Sequence, residues 1–420
     1  MNAEQLFIVG IGAAETGHYD KAIKYFQRAI EIKPDYEDAY LHMGRAHSST
    51  LKYFKAIECY EKAIEINPND ADAYFYLGRA HSSTFNYFKA IECYEKVTEI
   101  NPNDADAYFY LGGGYYVIGK DYEAIKCFQK GIEINPNDAR AFYSMGQAYY
   151  NLKEYNKAIE YYKKAIDIKA DYEDAYFNMG IVYSNLKEHN NAIKCFQQES
   201  HKMKAKRLFM IGAEYDNLGN YDKAIEYYRQ AIDIKAGYAD AYFNMGLTYI
   251  NLKDYNNAIK CFQKGIDINP NDAGAFYSMG NTFSNLGKYD MAIDCYQKAI
   301  DINPKNADAH FLMGHSYMEI GNIKKAIDCY QKAIDINPND AEAYFHLGRI
   351  FDKKNNYEKS IECYMKVIDI NPNDAVTYSN LGCVYYRLGS KDKGINYLQK
   401  AARMGNSVSQ DVLKELNLEW

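Results

Sequence analysis

Thirty-four residues, Ala71 to Asp104 (ADAYFYLGRAHSSTFNYFKAIECYEKVTEINPND), return along this chain almost without a break. With Ala71 as place 1 and Asp104 as place 34, units begin at Ala3, Glu37, Ala71, Ala105, Ala139, Glu173, Ala205, Ala239, Ala273, Ala307, Ala341 and Ala375. That makes twelve units, and only the sixth (173–204) is short, by two residues. A fixed period between about 20 and 50 residues confines a chain to a solenoid or array. Each unit then touches only its neighbours, so the 420 residues need no single global core.

Inside one unit, places 4, 7, 8 and 11 follow the i, i+3, i+4, i+7 spacing of an amphipathic helix, helix A, over about places 2–14. A Gly, Lys or Asn turn follows near places 15–16, as at Gly287–Lys288, and helix B covers about places 18–31. The Asn-Pro-Asn-Asp close stops helix B, because the residue before Pro is pushed out of the helical region. Asp at place 34 is set to cap the next helix A. Small residues, Gly at place 8 and Ala at places 20 and 27, let the two helices approach. Gly78→Leu or Ala90→Leu is expected to overpack that contact.

Place 4 is Tyr or Phe in nine units, place 8 is Gly in all twelve, and place 24 is Tyr or Phe in all but the last. Place 20 is nearly always Ala, and Pro stands at place 32 in eight units. This phase resembles the tetratricopeptide repeat at each signature place over residues 3–408. The resemblance implies an all-α, right-handed superhelical solenoid of antiparallel helical hairpins, with helix A on an inner, concave wall. Three departures subdivide the array. Repeats 1–6 (3–204) end where Glu199 and Lys202 replace core residues, so helix B should stop early and the array bend at 198–206. The cluster Lys202, Lys204, Lys206, Arg207 there reads as a solvated turn or a partner contact. Gly112–Gly113–Gly114 lies inside a helix A, where each Gly costs about 1 kcal/mol relative to Ala. Repeats 7–12 (205–408) end with Gly394 and Leu398 at the small and aromatic places, and 409–420 supplies Val412, Leu413 and Leu416 for a capping helix.

Net charge is −7 with no Lys/Arg block, which argues against nucleic acid. No apolar run approaches bilayer length, so no membrane insertion is expected. Leu6–Ala14 keeps repeat phase and lacks a preceding Lys or Arg, so it reads as the first helix and not as a cleaved signal. Eight of the nine cysteines share place 23, one repeat apart, too far for a disulfide or tetrahedral zinc. A row of separate thiols fits a reducing, cytoplasmic setting. There is no P-loop, G-x-S-x-G, H-E-x-x-H or paired C-x-x-C, and the histidines fall on repeat places. The chain is therefore expected to be no enzyme and to need no cofactor.

The face opposite the core stripe carries places 2, 5, 6, 9, 12 and 13, which the resemblance makes the ligand face. Place 5 is aromatic in ten units, Phe7, Phe75, Phe109, Tyr143, Phe177, Phe209, Phe243, Tyr277, Phe311 and Phe345. These rings border the core, so packing stands beside a second reading, a row of platforms for a peptide's side chains. Place 6 offers Asn178, Asn244 and Asn380, whose amides can both donate to and accept from a peptide backbone. In fragments this is similar to the asparagine ladder in the repeat arm of O-linked N-acetylglucosamine transferase. Place 9 supplies Arg45, Arg79, Gln147, Asn281, His315 and Arg349. Arg45 and Arg79 either engage acidic side chains of a ligand or pair internally with acids such as Asp72 and Asp106, internal pairing being preferred. The Asn run at place 13 (Asn151, Asn185, Asn217, Asn251, Asn285) reads as helix-end turn chemistry. Aromatic place 5 leaves no Lys for the family's carboxylate clamp, which disfavours a chaperone-tail adaptor.

The resulting expectation is a scaffold or adaptor that binds an extended peptide or a helix of a partner protein. Two competitors stand beside it. One is an architectural or self-associating component, a homo-oligomer through the N-terminal repeat, where no earlier repeat covers Phe7, Ile8 and Ile11. The other is a targeting or regulatory arm of an enzyme complex.

Overall fold

The computed structural model describes residues 1–198 and 203–420. Every regular element among them is a helix. Contacts divide the chain into two compact units, Met1–Lys202 and Met203–Trp420.

The first unit holds repeats 1–6. Helix A spans Ala3–Glu15, Glu37–Ser49, Ala71–Ser83, Ala105–Val117, Ala139–Asn151 and Glu173–Asn185, that is, places 1–13. Helix B spans Tyr19–Ile32, Tyr53–Ile66, Tyr87–Ile100, Asp121–Ile134, Tyr155–Ile168 and the short His189–Phe196. Each helix A packs on its own helix B, on the helix B before it, and, in most repeats, on the next helix A. Both helices therefore start and stop one place earlier than the spacing predicts. The sixth helix B does end early, after 8 residues against 14 in its neighbours. The expected charge intrusions at Glu199 and Lys202 lie outside the described residues.

The second unit holds repeats 7–12. Helix A spans Lys204–Asn217, Ala239–Asn251, Ala273–Asn285, Ala307–Glu319, Ala341–Lys353 and Ala375–Arg387. Helix B spans Tyr221–Ile234, Tyr255–Ile268, Tyr289–Ile302, Ile323–Ile336, Tyr357–Ile370 and Lys391–Arg403. A last helix, Ser407–Glu415, packs on the twelfth helix B, with buried Leu413 against Leu398 and Ala402. Each unit is thus an α-solenoid of antiparallel hairpins. Arg207 departs from the solvated-turn reading: it occupies place 3 of its repeat, where every other repeat but the first carries Ala or Thr, and it is buried.

Local chemistry sets these boundaries. Place 15 takes left-handed backbone in every repeat, from Gly17 (φ 76°) to Gly389 (φ 92°), and breaks helix A from helix B. Where place 34 is Asp or Asn, its side chain accepts a backbone N–H of the next helix A, as Asp104 does from Ala107 (3.0 Å) and Asn306 from Ala309 (3.0 Å). Tyr36, Tyr172 and Tyr238 take that place in three repeats and make no such bond.

The core contact between A and B is a glycine under a ring. A Cβ on Gly78 would lie 2.8 Å from Tyr94, one on Gly146 2.6 Å from Tyr162 and one on Gly246 2.6 Å from Phe262. Of the triple glycine, Gly112 meets Phe128 and Gly114 meets Ile91, whereas Gly113 has nothing within 4 Å. Two of the three therefore serve close packing.

All nine cysteines are free. Burial pushes the Cys59 and Cys93 thiols up to about 12 and those of Cys261 and Cys329 up to about 11, so they sit in the wall as protonated small hydrophobes. No helix among the described residues is long and apolar enough to cross a membrane.

Candidate ligand-binding face

The place-24 ring organises the helix-A face. In each of the ten repeats with an aromatic at place 5, that ring meets the place-24 ring of its own hairpin. Examples are Phe75–Tyr94 (centroids 6.0 Å apart), Phe109–Phe128 (6.0 Å), Tyr143–Tyr162 (5.8 Å) and Phe177–Phe196 (5.6 Å). The second unit repeats this in Phe209–Tyr228 (5.7 Å), Phe243–Phe262 (5.8 Å), Tyr277–Tyr296 (6.1 Å), Phe311–Tyr330 (5.5 Å) and Phe345–Tyr364 (6.0 Å). Phe177 is fully buried and the other nine are partly buried. The place-5 rings thus have a packing partner inside the protein. Phe7 belongs to this set, packed on Phe26 at 5.7 Å, and only Ile8 of the first helix's apolar trio is strongly exposed.

From the next repeat, place 6 covers the same ring. Tyr76 stacks on Tyr60 (6.1 Å), Tyr110 on Tyr94 (5.7 Å) and His346 on Tyr330 (5.4 Å). Burial lowers the His346 and His42 imidazoles below their usual value, so both favour the neutral form.

Above these rings lies a series of open cavities with a common address. One, about 340 Å³, is lined by Arg45, Ser48, Ser49, Tyr53 and Tyr60 from repeat 2 and Tyr76, Arg79, Ala80 and Ser83 from repeat 3. Another, about 310 Å³, joins it at Arg45 and Ser49 and reaches back to Ile11, Glu15 and His42. A third, about 210 Å³, is lined by Tyr116, Gln147, Tyr150, Asn151, Tyr162, Asn178 and Ile181. In the second unit, about 230 Å³ lies between His315, Met318, Glu319, Tyr330, His346, Arg349, Ile350 and Lys353. All four draw on places 9, 12 and 13 of one repeat and places 6 and 9 of the next. Three add the place-24 ring, three add places 10 and 13 of the next repeat, and the third cavity also takes Tyr116 from the repeat before. Place 5 lines none of the four. A fifth cavity, about 400 Å³, opens elsewhere, between Gln331, Tyr344 and Lys359.

The place-9 cations are not neutralised from within. The Arg45 guanidinium lies over the Tyr76 ring (4.9 Å) and that of Arg79 over Tyr110 (5.9 Å). Arg349 sits 6.0 Å from the Phe345 ring. Among the described residues none of the three forms an ion pair, which corrects the expectation of internal pairing. Asp106 is instead held by Arg140 (2.8 Å), a cation of place 2 that lies over Phe109.

The amides divide. Asn178 Nδ2 donates to the Tyr143 hydroxyl (2.7 Å) and Gln147 Nε2 to the same oxygen (3.1 Å), while Asn281 accepts from the Tyr296 hydroxyl (2.7 Å). Asn244 and Asn380 make no side-chain hydrogen bond to the described chain. Of the place-13 run, Asn151 donates to Asp121 (3.1 Å) and Asn185 to the Tyr150 hydroxyl (3.1 Å). Sequence reasoning passed over Tyr76, Tyr110, Tyr116 and Tyr150. Their signal was present: aromatic side chains at places 6 and 12, in the same frame that located Arg45 and Asn178.

Comparison with known proteins adds to this geometry. A TPR repeat model matches residues 14–50, 52–84, 148–187, 212–253, 280–321, 314–354 and 348–389, together more than half of the chain. Further tetratricopeptide repeat models match 239–272, 261–294 and 375–404. Residues 36–67 match the Sel1 repeat, and 83–165 the model for anaphase-promoting complex, cyclosome, subunit 3. No curated protein matches the sequence. Among solved structures, a MamA protein is 29% identical over 41% of this chain and 95% of that one, with a TM-score of 0.39. Yeast Tom70 is 16% identical over 98% of this chain and 93% of that one, with a TM-score of 0.40.

Proposed function

From the premise that the chain belongs to the tetratricopeptide repeat family, a scaffold type built for protein contacts, we propose that it holds an extended, acidic stretch of a partner polypeptide along the helix-A face of repeats 1–3. The observation that carries this reading is the joined pair of cavities at Arg45, with two arginines one repeat apart, neither in an ion pair among the described residues; Glu15 is the carboxylate that shares the cavity toward repeat 1. Each presents a charged fork on an aromatic floor, which suits carboxylate recognition. Neighbouring A helices are in contact, so the period along the face is about 8–10 Å, or roughly three residues of extended chain per repeat. Ser48, Ser49 and Ser83 add hydroxyls that can serve a peptide backbone. Other cavities of the series extend the same principle with amides at Gln147 and Asn178, and with His315, His346 and Arg349 in the second unit.

A site-specific photo-cross-linker tests this directly. Placed at Ser49 or Ser83 in the full chain, it should trap a partner, and Arg45→Glu with Arg79→Glu should abolish the product while leaving helicity unchanged. Placed at Lys62, on helix B, it should trap none. Trapping only from Lys62, or a product indifferent to both charge reversals, would move the site off this face.

A further inference from the structure

The turns between helices A and B carry a second, separate feature in repeats 2–4. Leu51 is 73% exposed, Phe54 76%, Phe85 79% and Phe88 68%, and Tyr122 continues the row at 64%. Leu51 and Phe85 occupy place 15, with φ of 59° and 60°, a left-handed conformation that bulky side chains rarely adopt. In the other repeats that place is Gly, Lys or Asn, residues suited to the turn and to water. Phe54, Phe88 and Tyr122 stand three residues on, at place 18. Isolated exposed apolar residues are ordinary. Five at three consecutive A–B corners, Leu51 and Phe85 in the turns and Phe54, Phe88 and Tyr122 at the start of helix B, make a row that recurs from repeat to repeat, and none of them lines any cavity described above.

We propose that this ridge docks the protein on an anionic lipid bilayer, its apolar tips entering the headgroup region and lysines meeting the lipid phosphates. Lys55 and Lys89 flank the ridge in repeats 2 and 3 and form no ion pair among the described residues; in repeat 4 Lys120 is joined by Asp121 and Glu123 on either side of Tyr122, so the cationic part of the ridge is that of repeats 2 and 3. Protruding aromatic and aliphatic tips beside lysines are the chemistry of interfacial membrane binding, which needs no spanning helix. The shape points the same way. A ridge of side chains that stand clear of the chain has no concave seat for a partner's side chains. Five residues also fall far short of the roughly 20–30 per side that a stable protein interface uses. Pairing with a second copy through a two-fold axis would bring the same lysines face to face.

Vesicle co-sedimentation of the full chain tests the proposal, with phosphatidylcholine vesicles and with vesicles containing phosphatidylserine. Binding is expected to the anionic vesicles only and to weaken as salt rises. Phe54→Ser with Phe88→Ser should weaken it by about tenfold or more. These side chains are mostly exposed, so circular dichroism should confirm an intact fold. Lys55→Glu with Lys89→Glu should reduce the anionic preference. In a Phe85→Trp, Trp420→Phe chain, the indole emission should shift to the blue on vesicle addition. No binding at low salt, binding unaffected by the serine pair, or bound protein with unshifted emission would each overturn it. So would a concentration-dependent mass that the serine pair abolishes, which would assign the ridge to a second copy.

Discussion

At the scale of single residues, the structure turns on one ring per repeat. Tyr94 is held by the bare Cα of Gly78, by Phe75 beside it and by Tyr110 from the next repeat. Nothing there can give, because each neighbour is itself packed. Gly78→Ala would bring a methyl within 2.8 Å of the ring and is expected to cost about 1–3 kcal/mol. Gly113 is the control, a helical glycine one residue from an equivalent packed one, but with open space where a Cβ would go. There Gly113→Ala should stabilise the chain by about 1 kcal/mol, through backbone entropy alone. Urea melts of the two variants should move in opposite directions. A shift of the same sign in both would remove the ring from its organising position.

At the scale of elements, what differs between repeats is the joint. Asn-Pro-Asn-Asp joints cap the next helix through Asp. The three tyrosine joints replace that bond with tilted ring contacts: Tyr36 with Phe7 (5.1 Å), Tyr172 with Tyr143 (5.0 Å) and Tyr238 with Phe209 (5.2 Å). A lysine of the same joint lies over each ring, Lys33 at 4.7 Å, Lys169 at 5.2 Å and Lys235 at 4.6 Å. One joint also titrates. Interaction with the neighbouring Asp70 carboxylate, followed by burial, holds the Glu37 carboxyl up to about 8, and Asp70 Oδ2 is buried without a hydrogen-bond partner. The folded state therefore keeps a proton that the unfolded chain releases near its ordinary carboxylate range. Stability from this pair is fully present below that range and is lost as pH rises through about 8. Glu37→Gln, which imitates the protonated form, should raise Tm relative to the parent at pH 9 and leave it nearly unchanged at pH 4. An equal gain at both pH values would rule out the shared proton.

At the scale of the molecule, the two units are chains of nearest-neighbour contacts, so damage should stay local. Ala90 is fully buried between the helices of repeat 3, and Ala90→Leu should loosen repeats 2–4. Hydrogen exchange followed by mass spectrometry should show faster exchange there and unaltered protection over 203–420. Loss of protection throughout would mean one cooperative body. The same logic explains how near-identical repeats such as 2 and 3 coexist with varied ones. Each need fit only its neighbours, and the faces left over are free to diverge.

The amino-acid sequence alone determined the period, the family, the helix pairs and the caps. Gly44, Ala56 and Asp70 act on atoms within one hairpin or at its end, where spacing along the chain is spacing in space. The early stop of the sixth helix B was legible for the same reason. Tertiary structure decided what crosses from one repeat to the next. Arg45 and Arg79 were expected to pair with groove acids, yet each came to rest on the tyrosine of the following repeat. Arg140 took Asp106 in their place, and Asn178 spent its amide on Tyr143. Such partners depend on the rotation and rise between successive hairpins. A difference of an ångström or two selects between a ring and a carboxylate, and no single repeat encodes it.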